Sequence, residues 1–218
     1  MSEVIKKFYN NHNAFGINST RCKNINTLIK DEVAEGDKKI LDVGCATGYL
    51  SAPLKINRNQ VIGIDIADKS IMEASKKLDE AYVVDIENYP WPKQITDCKY
   101  DIIFCTELIE HLFAPEKLLA YLKGLLAKDG IIIITTPNFL VWSGRIKMML
   151  GYYEVWDKGH IRLFCYNTLK RLIDKTGFYI DKEDHVIHPK IPYFIGILRP
   201  NLFAYQIVVK LKVKNDID

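Results

Sequence analysis

Ile40-Leu-Asp-Val-Gly-Cys-Ala-Thr-Gly-Tyr-Leu-Ser51, followed by Val61-Ile-Gly-Ile-Asp-Ile66, decides how this chain folds. The first stretch runs an apolar strand into a glycine turn, and the second ends another apolar strand on an acid. Gly44 and Gly48 let the backbone turn without a Cβ penalty and let a ligand approach the main chain, while the residues after the turn present unpaired N–H groups. Asp65 follows about twenty residues later, where a carboxylate can accept both hydroxyls of a ribose. The pair suits a nucleotide-like ligand. A structural turn with a coincidental acid is the bland alternative. A dehydrogenase site is disfavoured, because the dinucleotide fingerprint needs glycines where Ala46 and Tyr49 stand.

Outward from this stretch, apolar runs alternate with amphipathic ones in the βαβ manner of a mainly parallel sheet. The pattern predicts strands at Lys39–Val43, Gln60–Asp65, Ala81–Val84, Asp101–Cys105 and Ile131–Thr135. Helices are expected from Tyr49 to Lys55, Lys69 to Leu78 and Pro115 to Leu126. Ile102-Ile-Phe-Cys105 and Ile131-Ile-Ile-Ile134 are continuous apolar runs, as strands covered on both faces require, so both belong in mid-sheet. From Asn138 the rhythm breaks into an aromatic and basic insertion, the natural cap. A helix resumes from about Thr168 to Thr176, with Asn167 as N-cap and Gly177 just past its end. Phe178–Val186 and Phe203–Val213 are the last strands, and the alternation in Gln206-Ile-Val-Val-Lys-Leu-Lys-Val213 suits a sheet edge. Glu3–Phe15 and Cys22–Val33 read as helices ahead of the first strand.

With 218 residues, 48% of them hydrophobic, one domain is expected over 1–218. Its parts are N-terminal helices at 1–37, a cofactor-binding core at 38–137, a cap insertion at 138–166, and a helix with the last two strands at 167–218. The five cysteines are scattered and lack a Cys-x-x-Cys pair, which argues against a disulfide framework or zinc knuckle and for a cytoplasmic setting. The start of the chain lacks the apolar region of a signal peptide. The longest apolar candidate for a membrane span, Ile191–Val209, is broken by Pro192, Arg199, Pro200 and Gln206. A net charge of +3 does not suggest a nucleic-acid binder, yet the charge is uneven. Residues 1–137 carry 17 basic and 19 acidic side chains, against 13 and 8 in residues 138–218.

Leu41-Asp-Val-Gly-Cys-Ala-Thr-Gly48 resembles the first motif of the class I S-adenosylmethionine-dependent methyltransferases, and the family's later motifs follow in order. Val61-Ile-Gly-Ile-Asp65 is similar to the second and Val83-Val-Asp-Ile86 to the third. Tyr100-Asp-Ile-Ile-Phe-Cys-Thr-Glu-Leu-Ile-Glu-His111 is similar to the fourth, and the segment Leu125 to Pro137 to the fifth. The resemblance implies a Rossmann-like three-layer α/β sandwich whose seven-stranded, mostly parallel sheet has strand order 3-2-1-4-5-7-6 and an antiparallel strand seven. It implies S-adenosyl-L-methionine as cofactor and S-adenosyl-L-homocysteine as product. The implied cofactor residues are Asp42, Gly44, Cys45, Ala46, Gly48, Asp65, Ile66, Asp85, Ile86, Thr106 and Glu107. Gly44 and Ala46 would border the methionine part, Asp65 the ribose, and Asp85 with the Ile86 backbone the adenine. Asp42 fits an orienting role and Asp85 could simply cap a turn. Ala46 departs from the glycine common in the family.

Enzymes of this fold that methylate planar nitrogen commonly carry an Asn/Asp-Pro-Pro-Tyr/Phe element after strand four. Cys105-Thr-Glu-Leu108 stands there instead, which points to oxygen as the acceptor atom. The Glu110-His111 pair resembles that of the ubiquinone-biosynthesis O-methyltransferases, as does Gly159-His-Ile-Arg-Leu-Phe164. His111 and His160 are therefore the candidate catalytic bases. Alternatively, His111 is a helix-face residue bonded to Glu107 four positions earlier. The histidines could also join Glu107 and Glu110 as metal ligands, as in RNA-terminal methyltransferases with a Glu-x-x-His-His element. Leu112 replaces the final histidine of that element, so no metal is expected.

The expected function is O-methylation of a small-molecule or lipid- or glycan-linked acceptor. An RNA-modifying methyltransferase and a non-catalytic cofactor-binding subunit are the alternatives, the first weakened by the lack of a basic run. The cap, from Phe139 to Trp156, and Ile191–Leu198 are strongly apolar. They read either as core packing or as a pocket or peripheral membrane contact, with Arg145, Lys147 and Lys158 favouring an anionic group.

Overall fold

The computed structural model describes residues 19–152, 159–187 and 191–214. Its strands are β1 (Lys39–Val43), β2 (Gln60–Asp65), β3 (Glu80–Val83), β4 (Tyr100–Thr106), β5 (Leu126–Pro137), β6 (Phe178–Ile187) and β7 (Ala204–Val213). Its helices are α1 (Ser19–Glu35), α2 (Asp68–Ala74), α3 (Lys93–Thr96), α4 (Pro115–Lys123), α5 (Trp142–Met149), α6 (Tyr166–Lys175), α7 (Tyr193–Leu198) and α8 (Pro200–Phe203). The predicted helix Glu3–Phe15, with Phe8 and Tyr9, lies outside the described residues. So do Tyr153, Trp156 and Lys158 of the cap.

The strands form one sheet in the order β3-β2-β1-β4-β5-β7-β6, with β7 antiparallel to both neighbours and the rest parallel. Isoleucines of β4 and β5 are fully buried because helices cover both faces. Each such side chain contributes about 1.5–3 kcal/mol on leaving water. Ile25, Leu28 and Ile29 of α1 join Ile71 and Ala74 of α2 against one face. Leu118, Leu119 and Leu122 of α4 join Leu169 and Ile173 of α6 against the other. The result is the Rossmann-like three-layer sandwich expected from the motifs. Among the described residues, no helix is long and apolar enough to cross a membrane.

Several boundaries differ from the sequence-based expectation, each for a local reason. The helix expected from Tyr49 to Lys55 is only a 3-10 turn at Ala52–Leu54. Pro53 sits in that turn, and the chain then reverses through Asn57 and Arg58, both left-handed, to enter β2. Helix α2 ends at Ala74, which leaves Leu78 to turn inward against Gly48 and Gly63. Strand β5 begins five residues early, at Leu126, because Leu126 pairs with Tyr100 before the register shifts. The N-cap of α6 is Cys165 rather than Asn167, with the Cys165 N–H donating to Thr168 Oγ1 at 2.8 Å.

As the implied strand order requires, β7 lies inside the sheet between β5 and β6, so the edge reading of its alternation is what is corrected. Its alternation is not that of an edge. Lys210 is 3% exposed, and its ammonium donates to Glu32 and to the Leu28 carbonyl at 3.3 Å while lying 3.9 Å from Asp181. A paired lysine can occupy a central strand facing α1, because the partners offset the cost of burying its charge.

Candidate active site

The carboxyl ends of β1, β2, β4 and β5 meet at one edge of the sheet, the edge at which open α/β sheets bind ligands. The turn after β1 passes through three left-handed residues, Gly44 at φ +76°, Ala46 at +45° and Gly48 at +68°. Gly44 and Cys45 both donate their N–H to the Ile64 carbonyl, at 2.8 and 3.0 Å. Asp65 holds the turn from the end of β2. Its Oδ2 accepts the Ala46 N–H and its Oδ1 the Ala67 N–H, both at 2.9 Å. Burial pushes the Asp65 carboxyl above the usual aspartate range, while backbone donors from Ala67, Ala46 and Ile66 oppose the shift. Each carboxylate oxygen has a second lone pair, so these bonds leave capacity for a ligand's hydroxyls.

Asp42 is buried and its Oδ2 accepts the Ser51 hydroxyl at 2.7 Å, an orienting position beneath the turn. The Cys45 side chain is also turned inward. A Cβ on Gly63 would stand 2.7 Å from Cys45 Sγ and 2.5 Å from Leu78, so the bare backbone of Gly63 makes room for both. Burial raises the Cys45 thiol far above its ordinary pKa. Only the main chain of Cys45 is thus suited to meeting a ligand.

After β3 the Asp85 carboxylate accepts the Glu87 N–H at 3.2 Å, so the turn-capping role foreseen for it is present. Glu87 in turn accepts the Ala114 N–H at 2.8 Å, tying this loop to α4. The Ile86 carbonyl accepts the Trp91 indole N–H at 3.2 Å. Trp91, Tyr89 and Tyr121 form an aromatic cluster with centroids 4.6–5.9 Å apart beside that loop.

The segment leaving β4 carries the remaining candidates. Thr106 ends the strand, and Glu107 takes a left-handed φ of +51° with its N–H donating to the Thr135 carbonyl at 3.0 Å. Its Oε1 accepts the Thr135 hydroxyl at 2.9 Å. Glu110 and His111 lie on a 3-10 turn, Ile109–His111, rather than at the start of a helix. Glu110 is 1% exposed, and its Oε2 accepts the Thr136 hydroxyl at 3.0 Å. His111 Nδ1 lies 3.0 Å from the Gly159 carbonyl. A carbonyl can only accept, so the proton belongs on Nδ1 and the lone pair of the neutral ring on Nε2.

The cap loop is fastened to the same turn. The Glu110 carbonyl accepts the N–H groups of Ile161 and Arg162, each at 3.0 Å. Arg162 donates Nε to the Leu112 carbonyl at 3.1 Å and also bonds the Phe113 carbonyl. These bonds bring the His160 ring to 4.7 Å from that of His111, edge to face. Leu108, just ahead of this 3-10 turn, would touch a Cβ on Gly44 at 3.0 Å, so the segment leaving β4 packs against the glycine turn. Thr135, Thr136 and Gly63 escaped the sequence reading. Their only signal was two hydroxyls ending an apolar strand and a glycine inside one.

In sequence and in fold the chain is similar to known methyltransferases. A ubiquinone biosynthesis O-methyltransferase from Glaesserella parasuis serovar 5 (strain SH0165) is 33% identical over 108 residues, 46% of this chain and 46% of that protein. The chain thus aligns with about half the length of the curated relatives it matches. Magnesium protoporphyrin IX methyltransferase from Synechocystis PCC 6803, crystallised with bound SAH, superposes with a TM-score of 0.69 at 15% identity, covering 97% of this chain and 99% of that one. A SAM-dependent methyltransferase from Archaeoglobus fulgidus superposes with a TM-score of 0.63 at 19% identity, covering 88% and 94%. The profile of a family described as a methyltransferase domain matches residues 14–183, most of the chain, and the protein belongs to that family.

Proposed function

We propose that this protein transfers the methyl group of S-adenosyl-L-methionine to a hydroxyl of a small or lipid-linked acceptor and releases S-adenosyl-L-homocysteine. The observation that carries the reading is the meeting of His111 and His160 at the end of the segment that leaves β4, whose Leu108 packs against Gly44 in the turn held by Asp65. In this reading Gly44, Ala46 and Gly48 border the methionine part of the donor. Asp65 accepts the ribose hydroxyls, Asp85 and Ile86 flank the adenine, and Thr106 and Glu107 line the far side of the donor.

The sulfonium already makes the methyl group electrophilic. An acceptor oxygen forms the C–O bond as the C–S bond breaks, and the electron pair returns to sulfur to leave a neutral thioether. The hydroxyl proton is taken up at the histidine pair. In-line positioning and removal of that proton supply most of the acceleration. The absence of a Pro-Pro-aromatic element after β4 supports oxygen over planar nitrogen as the acceptor atom. The names of the curated relatives lean the same way. The free thiols Cys45, Cys98, Cys105 and Cys165 support a reducing, cytoplasmic setting.

Incubation with methyl-tritiated S-adenosylmethionine and a cell extract, fractionated into lipid, small-molecule, RNA and protein pools, tests the reading. Label is expected in the lipid or small-molecule pool, in base-stable form as for an ether. Label confined to RNA or protein would overturn the acceptor class, and absence of donor binding by calorimetry would overturn the reaction.

A further inference from the structure

Lys39 and Cys98 stand 59 positions apart in the chain, yet the Lys39 ammonium donates to Cys98 Sγ at 2.9 Å. Lys39 opens β1 and Cys98 lies between α3 and β4, at the amino edge of the sheet, opposite the edge that carries the glycine turn. Each residue is held by its own element. The Lys39 N–H donates to Asp101 Oδ2 at 2.8 Å, and β1 then pairs with β4 from Ile40 opposite Ile102. On the other side Tyr100 is fully buried, and its hydroxyl donates to the Ile95 carbonyl at 3.0 Å, which fastens α3 to the start of β4. The Cys98 thiol turns its hydrogen towards the Gln94 carbonyl, 3.8 Å away, and so presents a sulfur lone pair to the lysine. Among the described residues, no acid is paired with the Lys39 ammonium. Reacting atoms in a productive arrangement stand about 3–3.5 Å apart, and this nitrogen and sulfur are already closer than that.

We propose that Lys39 and Cys98 form a modification site, at which oxidation by peroxide joins the lysine nitrogen to the cysteine sulfur in a reversible sulfenamide bridge. First the Cys98 sulfur attacks one oxygen of hydrogen peroxide. The S–O bond forms, the O–O bond breaks, and the departing hydroxide takes up the thiol proton as water, so that sulfur is oxidised by two electrons and the peroxide reduced. The Lys39 amine, once it has shed its ammonium proton to solvent, attacks the sulfenic sulfur. The N–S bond forms, the S–O bond breaks with its electron pair on oxygen, and the leaving hydroxide takes an amine proton as a second water. Thiol, amine and one peroxide thus give the bridge and two waters. A thiol reductant reverses it, since one thiol breaks the N–S bond and returns its proton to the amine, and a second releases Cys98 from the mixed disulfide. Lys39 and Cys98 are both partly exposed, which admits peroxide, whereas Cys45 and Cys105 are buried. The amine takes the place that a resolving cysteine holds in other redox sensors. The bridge would clip the segment that carries Gly44, Asp65 and Asp85 into a closed loop, and its formation is independent of the methyl-transfer reading.

The test treats the full chain with hydrogen peroxide, blocks the remaining thiols, and maps its peptides by mass spectrometry with and without dithiothreitol. A cross-linked fragment holding Lys39 and Cys98, two hydrogens lighter than the sum of its parts, is expected, and dithiothreitol should release both peptides. Because the bridge closes a loop spanning 59 positions, oxidation should also raise Tm by about 5–15 °C, and reductant should return it to its starting value. Lys39→Arg keeps the positive charge without the primary amine, and Cys98→Ser removes the sulfur. Both variants should lose the fragment and the rise in Tm. Recovery of Cys98 from the oxidised parent only as sulfinic or sulfonic acid, or a cross-link to Cys98 that persists in Lys39→Arg, overturns the bridge. The peptide map of the parent decides the matter if neither variant folds.

Discussion

Ala46 donates its N–H to Asp65 Oδ2 at 2.9 Å while holding a left-handed φ of +45°. The acid at the end of β2 thus fastens the one residue of the turn that pays a Cβ penalty for its conformation. A non-glycine residue in this region costs about 1–2 kcal/mol, and glycine removes that cost while adding disorder to the unfolded chain.

Ala46→Gly is therefore expected to stabilise the protein by about 0.5–1 kcal/mol in urea unfolding, with an unchanged m-value. A lower midpoint would mean that the alanine methyl makes contacts worth more than the strain it carries.

With Asp65 in the ribose role proposed above, donor binding has a pH dependence of definite sign. Burial raises its folded-state pKa, so the folded chain holds this proton more tightly than the unfolded chain does. Its charged form costs stability above the unfolded pKa, and that cost is relieved as pH falls through the folded pKa. Acceptance of ribose hydroxyls needs the carboxylate. Affinity for S-adenosylhomocysteine should consequently fall by about tenfold per pH unit once the pH is below the folded pKa. Calorimetry from neutral to mildly acidic pH measures this, and Asp65→Asn should bind more weakly with a flatter profile. A parent profile flat down to the ordinary aspartate range would remove the ribose role.

The strands of the core were legible because each was an apolar run ended by a turn signal, and the five motifs supplied their order. What stayed hidden was every contact made across the sheet. Gly63 inside β2 is bare because Cys45 and Leu78 both press against it. Gln206 to Val213 alternates like an edge strand, since sequence alone does not distinguish a solvated lysine from one buried against Glu32 and Asp181. Glu110 and His111 were visible as neighbours, and His160 as a separate motif. Their meeting depends on hydrogen bonds that the cap-loop N–H groups of Ile161 and Arg162 donate to the Glu110 carbonyl, which no side-chain pattern records.

Lys210 tests the buried ion pair. Lys210→Ala leaves Glu32 without its cation, Asp181 keeping Lys212 at 3.5 Å, and opens a cavity under α1, whereas Lys210→Met keeps the volume and removes the charge. Because both acids are partly exposed, the alanine change should cost about 2–3 kcal/mol, less than the 3–5 kcal/mol of a fully buried pair. Methionine should cost less than alanine, and Lys210→Met combined with Glu32→Gln less still. Equal losses for alanine and methionine would show that packing is irrelevant at this position and charge alone decides.

The cap side of the site carries the last prediction. Helix α5 follows the carboxyl end of β5, and α7 lies between the end of β6 and the start of β7. Asn138 joins the two regions by donating Nδ2 to the carbonyls of Asn201 and Ala204, at 3.2 and 2.8 Å. Met149 is 86% exposed and Leu198 74%, and Leu150, Phe194 and Ile197 are also exposed. Residues 138–152 and 191–204 contain Arg145, Lys147 and Arg199 and not one acid. Exposed apolar side chains on two segments whose only charged residues are cations suit an anionic bilayer, where each basic side chain adds about 1 kcal/mol. Three such residues imply a preference for anionic over neutral vesicles of up to about 100-fold at low salt, shrinking as salt screens it. Sedimentation with phosphatidylglycerol and phosphatidylcholine vesicles measures that ratio. Met149→Glu with Leu198→Glu should lower partition into the anionic vesicles at least tenfold without changing S-adenosylhomocysteine affinity. Equal sedimentation of parent and variant, or no partition by either, would return this surface to a purely structural role and leave the acceptor free in solution.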